Sequence, residues 1–223
     1  MKIYCLNLVN LTKVPYEKLK LMVSEERGKK ADGKKKLEDR YKCLYTELFL
    51  RYVFEDNGFC TENFKLFYNE CGKPYYDKIR YFNISHSDEW IVIAIGATEI
   101  GVDIERIKEG RNRSLESIFK QSENDYINSF PKYEQCRYIT QIWTLKESYV
   151  KYLGKSIIEE LKNFSVDPLN KRIITKEGEP LLELKVGSML FEEDYYLSFC
   201  SEETVTEMIN VSIEDLHYME PNP

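Results

Sequence analysis

The stretch WIVIAIGATEIGVDIE, residues 90 to 105, sets how the rest of the chain is read. Its first seven residues form an unbroken apolar run, the pattern of a strand buried on both faces. After a four-residue break, GVDIE (Gly101 to Glu105) resumes as a strand. Side chains alternate along a strand, so Val102 and Ile104 point to one face and Asp103 and Glu105 to the other. The two carboxylates then lie ~6 to 7 Å apart and repel unless a cation or a salt-bridge partner stands between them. A solvated sheet face would also carry such a pair, so its meaning depends on what the rest of the chain brings to it.

A chain of 223 residues can bury a substantial core as one large domain or two small ones. With 43% hydrophobic and 31% charged residues, and only 10 Gly and 7 Pro, it is neither disordered nor low in complexity. A net charge of -6 and a pI near 5.3 argue against a nucleic-acid partner, which calls for a basic surface. No apolar run approaches the ~20 residues of a membrane span, and MKIYCLNLVN lacks the layout of a signal peptide. A cytoplasmic protein with no membrane association is expected. The six cysteines are scattered, with no C-x-x-C and only two histidines beside them, so free thiols are expected rather than a zinc site.

Residues 2 to 8 have strand character and lead into the charged segment VSEERGKKADGKKKLEDRYK. Tyr41, Leu44, Tyr45, Leu48, Tyr52 and Val53 then recur at helical spacing, with Gly58 just beyond the helix end. Phe64, Leu66 and Tyr68 alternate as in a strand, CGKPYYD reads as a turn, and YFNIS begins the next strand. The pattern is mainly helical from Arg113 to Tyr152. KRIITK, LLELKV, YYLSF and EMINVSI return to strands. The organisation predicted is two α+β halves in succession, residues 1–100 and 101–223, with the boundary at Ala97 to Gly101.

A third carboxylate lies in WTLKESYVKYLGK, residues 143 to 155. On a helix, Ile142, Leu145, Tyr149, Tyr152 and Leu153 make one apolar stripe, while Trp143, Glu147 and Lys151 form a separate line beside it. A surface Glu–Lys pair next to a half-buried Trp would give the same letters. If Asp103, Glu105 and Glu147 meet across the fold, they make a hard, all-oxygen site suited to Mg2+ with water and phosphate oxygens completing the shell. Lys151, one turn from Glu147, could reach the same phosphate. Without metal, the three carboxylates would crowd one cleft, and removing one would relieve repulsion.

His86, in FNISHSDE, is flanked by two serines, but no G-x-S-x-G occurs and a serine beside its own histidine does not easily reach it. The histidine is either structural or a donor to a phosphate. RGKKADGKKK, Arg27 to Lys36, packs six basic residues into ten, as a solvated face or as a local anchor for an anionic ligand.

In this order GKPY, NISHS, GVDIE and WTLKESYVK resemble the motifs of the surfactin-type 4'-phosphopantetheinyl transferases. That family carries a G-K-P-x turn, N-x-S-H-S, G-[VI]-D-x-E and, roughly forty residues on, W-[ST]-x-K-E-[SA]-x-x-K. The resemblance runs from the first strand to about residue 168. It implies two similar α/β subdomains related by a pseudo-two-fold axis, with the site at their junction. It also implies transfer of the phosphopantetheine arm of coenzyme A to a serine of an apo acyl or peptidyl carrier protein. By it, Asp103, Glu105 and Glu147 hold Mg2+, Lys151 and His86 stabilise charge on the pyrophosphate, and Glu147 is the base, directly or through a water. Lys73, Ser85, His86 and Lys151 would touch the coenzyme, with Arg27 and Lys30 at its 3'-phosphate. A basic pair usual at the helix start stands here as Tyr41-Lys42, leaving Lys42. A monomer is expected, docking its acidic carrier near Arg111, Arg113 and Lys120. Two other classes remain open: a different Mg-dependent enzyme acting on a nucleotide pyrophosphate, and a non-catalytic coenzyme-binding scaffold.

Overall fold

A computed structural model describes residues 1–77, 79, 81–109, 118–156 and 160–216 of a mixed α+β chain. The first half contains β1 (Lys2–Asn7), α1 (Tyr16–Lys20), α2 (Glu25–Asp32), α3 (Leu37–Asp56), β2 (Phe67–Tyr68), β3 (Pro74–Tyr75), β4 (Tyr81–Ser87) and β5 (Trp90–Gly96). From β6 (Ile100–Arg106) it continues through α4 (Gln121–Asn128), α5 (Gln135–Leu153), β7 (Phe164–Asp167) and β8 (Arg172–Thr175). The last elements are β9 (Lys185–Phe191), β10 (Tyr195–Ser201), β11 (Glu207–Val211) and α6 (Ile213–Leu216).

The unbroken apolar run becomes β5, which pairs antiparallel with β1 on one side and β4 on the other. Its two faces enter different cores. Ile91, Ile93 and Ile95 join Tyr4, Leu6, Leu44 and Leu48 under α3, whereas Val92 and Ala94 join Ile3, Cys5, Val102, Ile104 and Leu197 between the sheets. A strand covered on both faces leaves no position for a polar side chain, hence the absence of alternation. The sheet β11-β1-β5-β4 thus lies between α3 and the sheet β6-β10-β9, whose outer face is covered by α5 through Cys200 and Val186. Each of these two sheets carries one long helix. The edge strand β11 runs parallel to β1, so the first sheet draws on both ends of the chain.

Local differences from the sequence expectations have physical causes. The alternation at Phe64, Leu66 and Tyr68 yields only the short β2, because Phe64 turns into the core against Phe54 and Tyr76. CGKPYYD does turn, with Gly72 at a φ of +83°, but its Pro74 and Tyr75 pair back onto β2. In LLELKV only Lys185 and Val186 belong to a strand, the opening residues of β9. The charged segment from Glu25 folds as α2, with Ser24 as N-cap accepting from the Arg27 N–H and two glutamates in the first turn.

Two close contacts help to fix helix α5 to the fold. Gly101 lets it approach β6 so closely that a Cβ there would overlap the Ser148 carbonyl and the Tyr152 nitrogen. Lys146, fully buried, donates to both oxygens of the fully buried Glu123 of α4 at 2.9 and 3.2 Å and to the Phe164 carbonyl at 3.0 Å. Glu123 Oε1 also accepts from the Val166 N–H of β7. Burial pulls the Lys146 pKa down, against the opposing pull of Glu123.

The contact at Gly101 makes a direct prediction. Gly101→Ala should lower stability by about 3 kcal/mol, because helix and strand must separate to admit one methyl group. Urea unfolding followed by circular dichroism measures it, and an unchanged midpoint would contradict the close approach.

Candidate functional site

The site grows from the way β4 and β6 meet. They run side by side in the same direction, and their contact is made by side chains. Asn83 Oδ1 accepts from the Val102 N–H at 2.9 Å, Ser85 Oγ from Ile104 at 3.3 Å and Ser87 Oγ from Arg106 at 3.0 Å. Three polar residues at period two therefore satisfy three alternate amides of β6. The same serines donate to the carboxylates beside those amides, Ser85 to Asp103 Oδ1 at 2.7 Å and Ser87 to Glu105 Oε2 at 3.1 Å. Val102 and Ile104 face the core between the sheets, while Asp103 meets Lys151 of α5. The predicted division of faces along GVDIE is what the fold displays.

Asp103 is 3% exposed. Its Oδ1 accepts from Lys151 Nζ at 2.6 Å, and Lys151 also donates to Ser85 Oγ at 3.0 Å and the Val102 carbonyl at 3.3 Å. Burial pushes the Asp103 carboxyl above its ordinary range, against the pull of Lys151 and then of the Ser85 hydrogen bond, with Glu105 adding to the rise. The expectation of a cleft governed by carboxylate repulsion is thereby revised. A lysine already sits on the most buried of the three carboxylates, and desolvation outweighs the charge of Glu105. Glu147 lies on α5 one turn before Lys151, half-buried. Among the described residues no three His, Cys, Asp or Glu side chains converge closely enough to hold an ion. One observation nevertheless fits a hard cation, since Asp103 Oδ2 is buried without a hydrogen-bond partner, in a set made of oxygens alone.

On the other face of β4, His86 and Ile84 line a cavity of about 390 Å³. Arg27, Lys30 and Lys34 enter it from α2 and the turn after it, and Lys42 from α3, against one acid, Asp39. Four of the residues expected to touch the coenzyme, Arg27, Lys30, Lys42 and His86, thus share one cavity. Arg27 is buried and partly engaged, with Nε 3.4 Å from Glu47 and Nη1 3.9 Å from Cys43 Sγ. The ammonium of Lys30 stands 5.1 Å from the centre of the Tyr68 ring. Desolvation by surrounding protein atoms, then the charge of Lys151, holds the His86 pKa below its usual value although the residue is solvent-exposed.

Two expected coenzyme contacts are engaged elsewhere. Lys73 donates to Glu99 at 2.8 Å and the Ile100 carbonyl at 3.2 Å. Ser85 spends its hydroxyl on Asp103, Ile104 and Lys151. Tyr41, beside Lys42, is buried edge-on against Tyr16. Of the expected carrier-docking residues, Arg111 and Arg113 lie outside the described residues, and Lys120 is the N-cap of α4. Sequence reasoning passed over Lys34 and Lys146. Lys34 is hidden in the basic run, but Lys146 left a signal, because it falls on the apolar stripe between Ile142 and Tyr149, where a lysine needs a buried partner.

The model of the 4'-phosphopantetheinyl transferase superfamily matches residues 99–200, which hold both acidic motifs. The chain is 32% identical over 185 residues to 4'-phosphopantetheinyl transferase gsp of Aneurinibacillus migulanus, covering 82% of this chain and 77% of that one. It is 29% identical over 177 residues to 4'-phosphopantetheinyl transferase Sfp of Bacillus subtilis (strain 168), covering 74% and 76%. A holo-(acyl-carrier-protein) synthase structure from Bacillus anthracis aligns with 47% of this chain and 96% of its own at a TM-score of 0.36 and 17% identity. The likeness to the gsp enzyme spans most of both proteins, so the chain belongs to the 4'-phosphopantetheinyl transferase family.

Proposed function

We propose that this transferase moves the phosphopantetheine arm of coenzyme A to a serine of an apo acyl or peptidyl carrier protein and releases adenosine 3',5'-bisphosphate. The observation that carries the reading is the two-sidedness of β4. His86 stands on the wall of a basic cavity, while Ser85 and Ser87 hold the carboxylates of β6. A ligand with a charged nucleotide and a pyrophosphate needs both surfaces within its own length.

Arg27, Lys30, Lys34 and Lys42 attract the nucleotide end and its 3'-phosphate, and His86 donates to the phosphate nearest β4. Lys73 and Ser85 reach the coenzyme only by exchanging partners, Lys73 leaving Glu99 and Ser85 one of its three bonds. Asp103, Glu105 and Glu147 would hold Mg2+, which neutralises charge on the pyrophosphate. Lys151, at the same carboxylate, turns to the phosphoryl oxygens as their charge grows. The carrier's serine oxygen forms the new bond to phosphorus as the P–O bond to adenosine bisphosphate breaks. Glu147 accepts the serine proton, directly or through a water. Transfer of this kind depends on positioning and electrostatics, so the nucleophile can come wholly from the partner. In this reading residues 1–100 contact the coenzyme and residues 101–223 carry the metal and catalytic groups, in a cytoplasmic monomer.

Asp103→Asn keeps the shape of the side chain and removes its charge. Carrier modification, followed by mass spectrometry with several apo carriers, should fall at least about a hundredfold. A variant that modifies them at the wild-type rate would remove Asp103 from the mechanism, and coenzyme hydrolysis without a carrier would favour a different pyrophosphate enzyme.

The basic cavity predicts that dephospho-coenzyme A has a KM about tenfold higher, the equivalent of one charge-assisted hydrogen bond. Lys30→Ala with Lys42→Ala should bring the two donors together. Equal kinetics for both donors in the wild type would assign the cavity to something else.

Because the His86 pKa lies below its ordinary value of 6.5, the imidazole is mostly neutral at pH 6.5 in the free protein. A phosphate arriving beside it favours the protonated form and raises the pKa, so coenzyme binding there should take up protons. Calorimetry in two buffers of different ionisation enthalpy reads this uptake. His86→Gln should abolish it, and uptake that survives the substitution belongs to another group.

A further inference from the structure

We infer that Ser87 is a positioning residue that orients Glu105 for the divalent ion. The inference rests on the reading of Asp103, Glu105 and Glu147 as metal ligands. Its basis is a repeated geometry on the seam between β4 and β6. Ser85 accepts from the Ile104 N–H and donates to Asp103, the residue just before that amide. Ser87 accepts from the Arg106 N–H and donates to Glu105, again the residue just before. Asn83 takes the Val102 amide in the same way, but the residue before it is Gly101, which has no side chain to hold. The seam therefore has three rungs, and the two that carry hydroxyls are the two that face carboxylates.

A hydroxyl suits this place because it accepts from an amide and donates to a carboxylate at once. Ser87 is 7% exposed, so its rotamer is set by packing and the amide bond fixes where its proton is aimed. Glu105 is half-buried and reaches the seam on a side chain one methylene longer than that of Asp103. A carboxylate with three side-chain torsions loses entropy when it binds an ion, and a bond made beforehand to one oxygen reduces that loss. The second serine of NISHS thus acts on the metal through Glu105, without touching coenzyme or carrier.

The test compares Ser87→Ala, Ser87→Thr and Asn83→Ala, each checked for folding by circular dichroism. Ser87→Ala should raise the Mg2+ concentration for half-maximal transfer about tenfold, the size expected when a partner of a metal ligand is lost. At saturating Mg2+ its kcat and its KM for coenzyme A should return to within about twofold of wild type, since the group acts before the reacting atoms are engaged. Calorimetric titration with Mg2+ in the presence of coenzyme A, without a carrier, should show the same weakening. Ser87→Thr, which keeps the hydroxyl, should restore wild-type metal dependence. Asn83→Ala removes a rung of the same seam and should cost stability without moving the Mg2+ requirement. A folded Ser87→Ala with wild-type Mg2+ dependence overturns the inference, as does an Asn83→Ala variant that shifts it equally. A wild type that transfers the arm equally well in EDTA overturns the metal reading and this inference with it. A Mg2+-dependent wild type beside an unaffected Ser87→Ala removes Ser87 alone.

Discussion

The hydrogen bonds by which Ser85 and Ser87 accept from alternate amides of β6 and donate to the carboxylates beside them are the constraint on which the rest of the site depends. A parallel neighbour of β4 could have been joined by ordinary backbone pairing, which would have left the serine hydroxyls to other partners. Here side chains reach across instead. The spacing opens enough for hydroxyls to lie between the strands, and their protons point at carboxylates. One set of bonds thus joins two sheets and orders the acidic pair, so the geometry of the acids is as rigid as the joint itself.

Helix α5 depends on that joint in turn. It brings Lys151 to Asp103 and Glu147 to the same side, and it can do so only because Gly101 presents no side chain at the crossing. A further hold is the Lys146–Glu123 pair, sealed from water and completed by the Phe164 carbonyl and the Val166 amide. A buried pair adds little net stability compared with apolar packing, but breaking one half leaves an unpaired charge in the core. Such a pair strongly disfavours any helix position in which the charges part. Lys146 and Glu147 are adjacent, so the register held by the one sets the place of the other.

Charge is segregated to match. A chain of net charge -6 gathers four cationic side chains around one cavity and places an acidic pair across the same strand. Each group is near its opposite, Lys151 on Asp103, Glu47 on Arg27 and Asp39 beside the lysines, so the resting protein tolerates the concentration of charge. No helix among the described residues is long and apolar enough to cross a membrane.

Periodicity made the elements of this site legible. Alternation put Asp103 and Glu105 on the face away from Val102 and Ile104, and helical spacing put Glu147 and Lys151 on one line beside the apolar stripe of α5. These are nearest-neighbour consequences of backbone geometry, available from any short window of letters. What the letters left open was which groups meet. The basic run from Arg27 to Lys36 reads equally as a solvated face or as an anchor for an anion until α2 packs on α3, buries Arg27 and sets Lys30 at the cavity. The three acids read as a crowd until Lys151 takes one oxygen of Asp103 from 48 residues away. Ser85 and Ser87 read as flanks of a histidine until β6 arrives beside them. A side chain's partner across the fold depends on how whole elements pack, and packing is decided by the sum of buried surface along strands and helices rather than by the residue itself.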